Sequence, residues 1–124
     1  MEKYLLLLIA AIIGICGQIL LKMGVNQSAS QLPEIHSFGA LLQAVFIFLK
    51  NYQILSAIFL YGLGLFVWLF ILTKFELSYV FPLTAIIYVF ILLFSWLFLK
   101  EDITVLRVAG VLLIAFGIFL VIKS

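Results

Sequence analysis

The chain has 124 residues, 68% of them hydrophobic and 10% charged, with a mean hydropathy of +1.42. A water-soluble domain is about half apolar and a quarter charged, so a compact soluble fold could not hide this much apolar surface, and the solvent is lipid. A net charge of +2 with no basic stripe excludes nucleic acid as a partner, and the length allows one domain, residues 1–124.

The first apolar run covers residues 4–23. It is too long for a signal-peptide core and ends without a small-residue cleavage site, so it is expected to be a retained first helix. It contains no Asp or Glu, but carries Gln18 and Lys22 one helical turn apart on one face, with Gly14 and Gly17 nearby to permit close helix approach. An amide in hydrocarbon needs a partner, so Gln18 either joins helices or lines a cavity. Lys22 either snorkels to the lipid boundary or faces the same cavity. Cys16 is the sole cysteine, which rules out an internal disulfide and leaves a small packing residue.

Residues 24–52 begin with a polar, turn-like stretch at 26–34, where the lone His36 follows closely. An apolar run then covers Phe38–Leu49. Twelve residues are too few to cross ~30 Å of hydrocarbon, so a short interfacial helix is expected there.

The second span is expected at residues 54–72 and the third at 77–99, joined by a four-residue link at 73–76. Links this short force neighbouring helices to be antiparallel. The third span contains Pro82, which removes a backbone donor and loosens the helix. A carbonyl freed by Pro82 needs polar company inside a membrane, which Ser78, Tyr79 and Thr84 can supply, with Tyr88 further along. Glu76 is expected at the solvated boundary, and Trp68 and Trp96 as interfacial aromatics.

The fourth span is expected at residues 105–122, with Asp102 or Thr104 as its cap. Gly110 and Gly117 lie seven residues apart on nearly one helix face, a stripe suited to helix–helix contact. Arg107 shares a membrane side with Lys22, Lys50 and Lys100. There it either grips a phosphate in a fork geometry or is neutralised by Glu101 and Asp102. The other side carries Lys3, Lys74 and Lys123, a near-tie that leaves orientation open. The reading is an all-α integral membrane protein of four transmembrane helices plus the short helix. No nucleophile elbow, phosphate-cradling loop or metal constellation is visible, so no catalytic residue, metal or cofactor is expected.

Four motifs in order resemble a known family. Gly17-Gln-Ile-Leu-Leu-Lys22 is similar to the G-Q-x-x-x-K pattern of the undecaprenyl-phosphate-aminoarabinose flippase subunits. Leu77-Ser-Tyr-Val-Phe-Pro82 resembles their V-x-I-A-Y-P segment, with Val80 and Phe81 where Ala and Tyr are usual. Lys100-Glu-Asp-Ile-Thr104 resembles the turn before their last helix, and Gly110 to Gly117 the dimerisation stripe of small multidrug resistance proteins. The whole chain thus looks like a four-helix member of the drug/metabolite transporter superfamily, close to these flippase subunits and to EamA-like half transporters.

The resemblance implies a bacterial inner-membrane carrier that works as a homodimer or as a heterodimer with a similar small protein. One departure bears on the substrate. The membrane-embedded Glu of small multidrug resistance exporters falls at Gly14, and their substrate-contacting Trp at Leu83. A buried countercharge for a cationic drug is therefore missing, while the remaining intramembrane charge is basic. The leading expectation is a flippase-like transporter of an anionic lipid-linked sugar. Lys22 and Arg107 would bind the phosphate, and Gln18, Tyr79 and Tyr88 would line the path. Two alternatives stand beside it: a small-molecule or multidrug exporter, and a non-transporting accessory subunit of a membrane glycosyltransferase.

Overall fold

The computed structural model describes all residues from Met1 to Ser124. It is all-α: α1 (Glu2–Ser28), α2 (Phe38–Leu49), α3 (Tyr52–Lys74), α4 (Leu77–Leu83), α5 (Ile87–Leu97) and α6 (Val105–Lys123). A 3₁₀ turn at Thr84–Ile86 joins α4 to α5, so that Leu77–Leu97 forms one span. With α1, α3 and α6 this gives four helices long and apolar enough to cross a membrane, and α2 is the short apolar helix between the first and second. The protein is a multi-pass membrane protein.

Local chemistry sets the helix ends. Ser37 caps α2 by accepting from the Ala40 N–H, and Asn51 caps α3 by accepting from Gln53 and Ile54. Thr104, not Asp102, caps α6, accepting from the Arg107 N–H at 3.2 Å. The first helix runs further than its sequence suggests. It continues through the polar Asn26-Gln-Ser28 and a 3₁₀ turn at Ala29–Gln31. It stops where Leu32 turns extended (φ −73°, ψ 133°) ahead of Pro33, because a residue before proline is driven out of the helical region. Lys22 therefore sits about a turn and a half inside α1 rather than at its end.

The third span also ends earlier than expected, at Leu97. Lys100 then takes a left-handed conformation (φ 54°), and the Glu101 N–H satisfies the Ser95 carbonyl.

Helix α1 is central, packed along α3 on one side and against α5 on the other. Helix α6 packs on α4, the 3₁₀ turn and α5, and α2 rests against α1 and α3. Asn51 Nδ2 donates to Ser28 Oγ at 3.3 Å, so the segment carrying α2 leaves and rejoins the bundle at the same end and is not a fifth crossing. Only 11 of 124 residues are buried. The apolar side chains that would fill a soluble core instead face outward, and packing rather than hydrophobic burial holds the helices together.

Candidate functional site

The tightest approach of two helix backbones, that of α1 to α3, lies at the Lys22 end of the bundle. At the Lys22 end, a Cβ on Gly24 would lie 2.5 Å from Ile54 Cγ1, so α1 meets the first turn of α3 with no room for a side chain. Gly17 is buried against the flat of the Tyr61 ring, and a Cβ on Gly14 would lie 3.2 Å from Ile87 Cδ1. Between Gly14 and Tyr4 the spans border a chamber of about 790 Å³, within the ~300–1,000 Å³ typical of ligand cavities.

All four spans contribute to its wall. Of its 19 lining residues 16 are hydrophobic and none is charged, so it suits an apolar guest. Its polar atoms come from Tyr4, Tyr61, Tyr79, Trp68 and Thr84. Trp68 meets Phe81 edge to face at 6.2 Å, so it belongs to the wall rather than to an outward aromatic belt. The wall's shape owes something to Pro82. Proline cannot donate to the helix ladder, and the chain tightens into the 3₁₀ turn that follows it. Thr84 Oγ1 donates to the Phe81 carbonyl at 2.6 Å, beside the bond that this oxygen accepts from the Thr84 backbone N–H.

A second recess of about 320 Å³ adjoins the chamber and shares Tyr4 and Tyr79 with it. Its remaining lining is Lys3, Lys74, Phe75 and Glu76. Tyr4 meets Phe75 edge to face at 5.7 Å, and Phe75 stacks on Tyr79 at 6.0 Å. Lys3 Nζ lies 5.4 Å from the Tyr4 ring centre and 5.3 Å from that of Phe75.

At the opposite end, Lys22 Nζ is 3.8 Å from Glu101 Oε1, both half-exposed. The Arg107 guanidinium donates to the Asp102 carbonyl at 2.9 Å. These groups thus gather at one end, beyond the chamber rather than in its wall. Of the other residues singled out in the sequence, Tyr79 and Gly14 line the chamber. Gln18 and Tyr88 lie on the outer surface of the bundle, and Cys16, expected to be packed, is exposed as well. Gly110 and Gly117 also face outward, with no atom within 4 Å of a Cβ built on either, so the stripe is not used inside one copy.

Sequence reasoning missed Tyr4, Tyr61 and Gly64 as wall residues. Only their helical phase relative to Gly14 marked them, and phase is a weak guide where every face of a helix is apolar. No protein-family model matches the chain, and neither a curated protein nor a solved structure matches it.

Proposed function

We propose that this four-span protein is a transporter of the drug/metabolite transporter type. Its cargo is an anionic lipid-linked sugar, such as a polyprenyl-phosphate glycoside, or a related metabolite, carried across a bacterial inner membrane. The observation that supports this reading is the uncharged, apolar chamber lined by residues of all four spans. An isoprenoid or acyl chain can lie in it without desolvating a charge. A cationic drug would meet no countercharge there. Gly14, where the resembling exporters carry their acid, is part of the wall.

Lys22 and Arg107 take the phosphate at their end of the bundle, by charge-assisted hydrogen bonds. Tyr79 lines the path within one copy. Gln18 and Tyr88 face outward and need a second copy to be enclosed, which supports a homodimer or a heterodimer with a similar small protein. The open Gly110 and Gly117 stripe on α6 offers the surface for it.

The test is reconstitution. Vesicles containing the pure protein and a fluorescent polyprenyl-phosphate glycoside are exposed to a membrane-impermeant quencher. Protein-dependent loss of the protected inner-leaflet signal is expected. No acceleration over protein-free vesicles overturns the reading. Proton-coupled drug efflux that Glu76→Gln abolishes would put the exporter in its place, and flipping that requires a glycosyltransferase would favour the accessory subunit.

A further inference from the structure

We propose that the recess between Lys3 and Lys74 is a second head-group station, so that the structure is poised to exchange a phosphate-bearing amphiphile at the Lys3 end of the bundle. The inference rests on the carrier reading above and adds where the cargo's charge is held when the chamber opens to that side.

Three observations meet at this place. First, the chamber and the recess are continuous in their walls. Tyr4 and Tyr79 line both, so a chain in the first leads to a polar group in the second. Second, the recess holds two ammonium groups that carry no ion pair. Neither Lys3 nor Lys74 lies within ion-pair distance of a carboxylate, whereas Lys22 pairs with Glu101. Lys3 is instead held over two aromatic rings, and Lys74 belongs to the same lining. Glu76 also lines the recess, leaving it with a net charge of +1 that a phosphate monoester or diester complements. Third, the opposite end is occupied by its own groups. Glu101 faces Lys22, the Asp102 carbonyl holds Arg107, and below them Gly17 and Tyr61 are in contact.

An anion site at each face would let a carrier hold the charge of an amphiphile on both sides of the bilayer. The Lys22 and Arg107 cluster and the Lys3 and Lys74 recess are such a pair, at opposite ends of the bundle. Tyr4 and Tyr79 form the neck between tail and head-group positions. Their rings are apolar toward the chamber, and their hydroxyls suit a wetter boundary.

Trp68 gives a direct readout because it lines the chamber. The other tryptophan, Trp96, is exposed and is removed with Trp96→Phe. The protein in nanodiscs of zwitterionic lipid is titrated with chain-brominated dodecyl phosphate and, separately, with the matching uncharged dodecanol. Saturable quenching of Trp68 by both is expected, with the phosphate bound more tightly. Lys3→Gln combined with Lys74→Gln should weaken the phosphate by about tenfold or more and leave the alcohol within about twofold. Lys123→Gln, at the same end but outside the recess, should change neither. An unchanged phosphate affinity in the double variant, or equal affinity of the two probes in the wild type, overturns the head-group station while leaving the chamber intact. No saturable quenching by either probe overturns the carrier reading itself. Displacement of the amphiphile by inorganic phosphate at equal concentration would mark a free-anion site and overturn the proposal.

Discussion

Asn51 Nδ2 lies 3.3 Å from the carbonyl oxygen of Gly24, joining the start of α3 to the last turns of α1. The same amide nitrogen reaches Gln27 Oε1 at 3.2 Å and Ser28 Oγ at 3.3 Å. Its carbonyl meanwhile accepts from the Gln53 and Ile54 amides. One side chain thus caps a helix and clasps its neighbour, and glycine at position 24 lets the two backbones come near enough for this. The clasp lies at the Lys22 end of the bundle, where α1 and α3 approach most closely.

Gly24→Ala should therefore destabilise the bundle by about 1–3 kcal/mol, the usual cost of forcing a methyl into a packed contact. The methyl would meet Ile54 Cγ1 at 2.5 Å and the Ile54 backbone nitrogen at 3.1 Å, and the latter cannot rotate away. Asn51→Ala should cost about 1 kcal/mol from the lost cap alone. Unfolding in mixed micelles measures both. A wild-type midpoint for Gly24→Ala would show that the helices are further apart than described.

Gln53 follows the clasp and is 8% exposed, yet its Oε1 has no hydrogen-bond partner. A buried acceptor left unpaired costs about 1–3 kcal/mol. Gln53→Leu keeps most of the volume and removes the acceptor, so it should be neutral or stabilising by about 1 kcal/mol. Clear destabilisation by the same unfolding measurement would mean that the amide has a partner in the membrane.

The ion pair of Lys22 with Glu101 gives opposite expectations for its two members. Both are half-exposed, so the pair itself contributes under about 1 kcal/mol to stability. If Lys22 receives a phosphate, Glu101 competes with it. Glu101→Gln should then tighten binding of a phosphate-bearing lipid, and Lys22→Gln should weaken it far more than Lys123→Gln does. Native mass spectrometry of lipid adducts reads both directions. Unchanged lipid-phosphate retention in both variants removes Lys22 from the binding machinery.

The outward stripe on α6 predicts assembly. Gly117→Leu places a large side chain where another helix would approach, and it meets nothing within its own copy, so the monomer should fold unchanged. Association measured by sedimentation in detergent should shift toward monomer. Undiminished association would move the interface to another helix.

Much of this molecule is legible in its residues because lipid imposes a simple rule. A span must be long, apolar and helical to satisfy its own backbone, and the four long runs and the twelve-residue Phe38–Leu49 segment obey it. Some local signals could be read too, since Thr104 and Pro82 act on their immediate neighbours, whereas the run of α1 on to Pro33 was not read.

The faces of the helices could not be read. With apolar residues all around, nothing in sequence says that Tyr61 looks inward while Tyr88 looks out. Nor does it say that Gly14 borders a chamber while Gly110 borders none. Those facts come from which helix lies against which, and so from contacts between residues far apart in the chain, such as Asn51 with Gly24 and Tyr61 with Gly17. Composition determined the solvent and the number of crossings. Tertiary packing decided which faces meet, and hence which residues border the chamber.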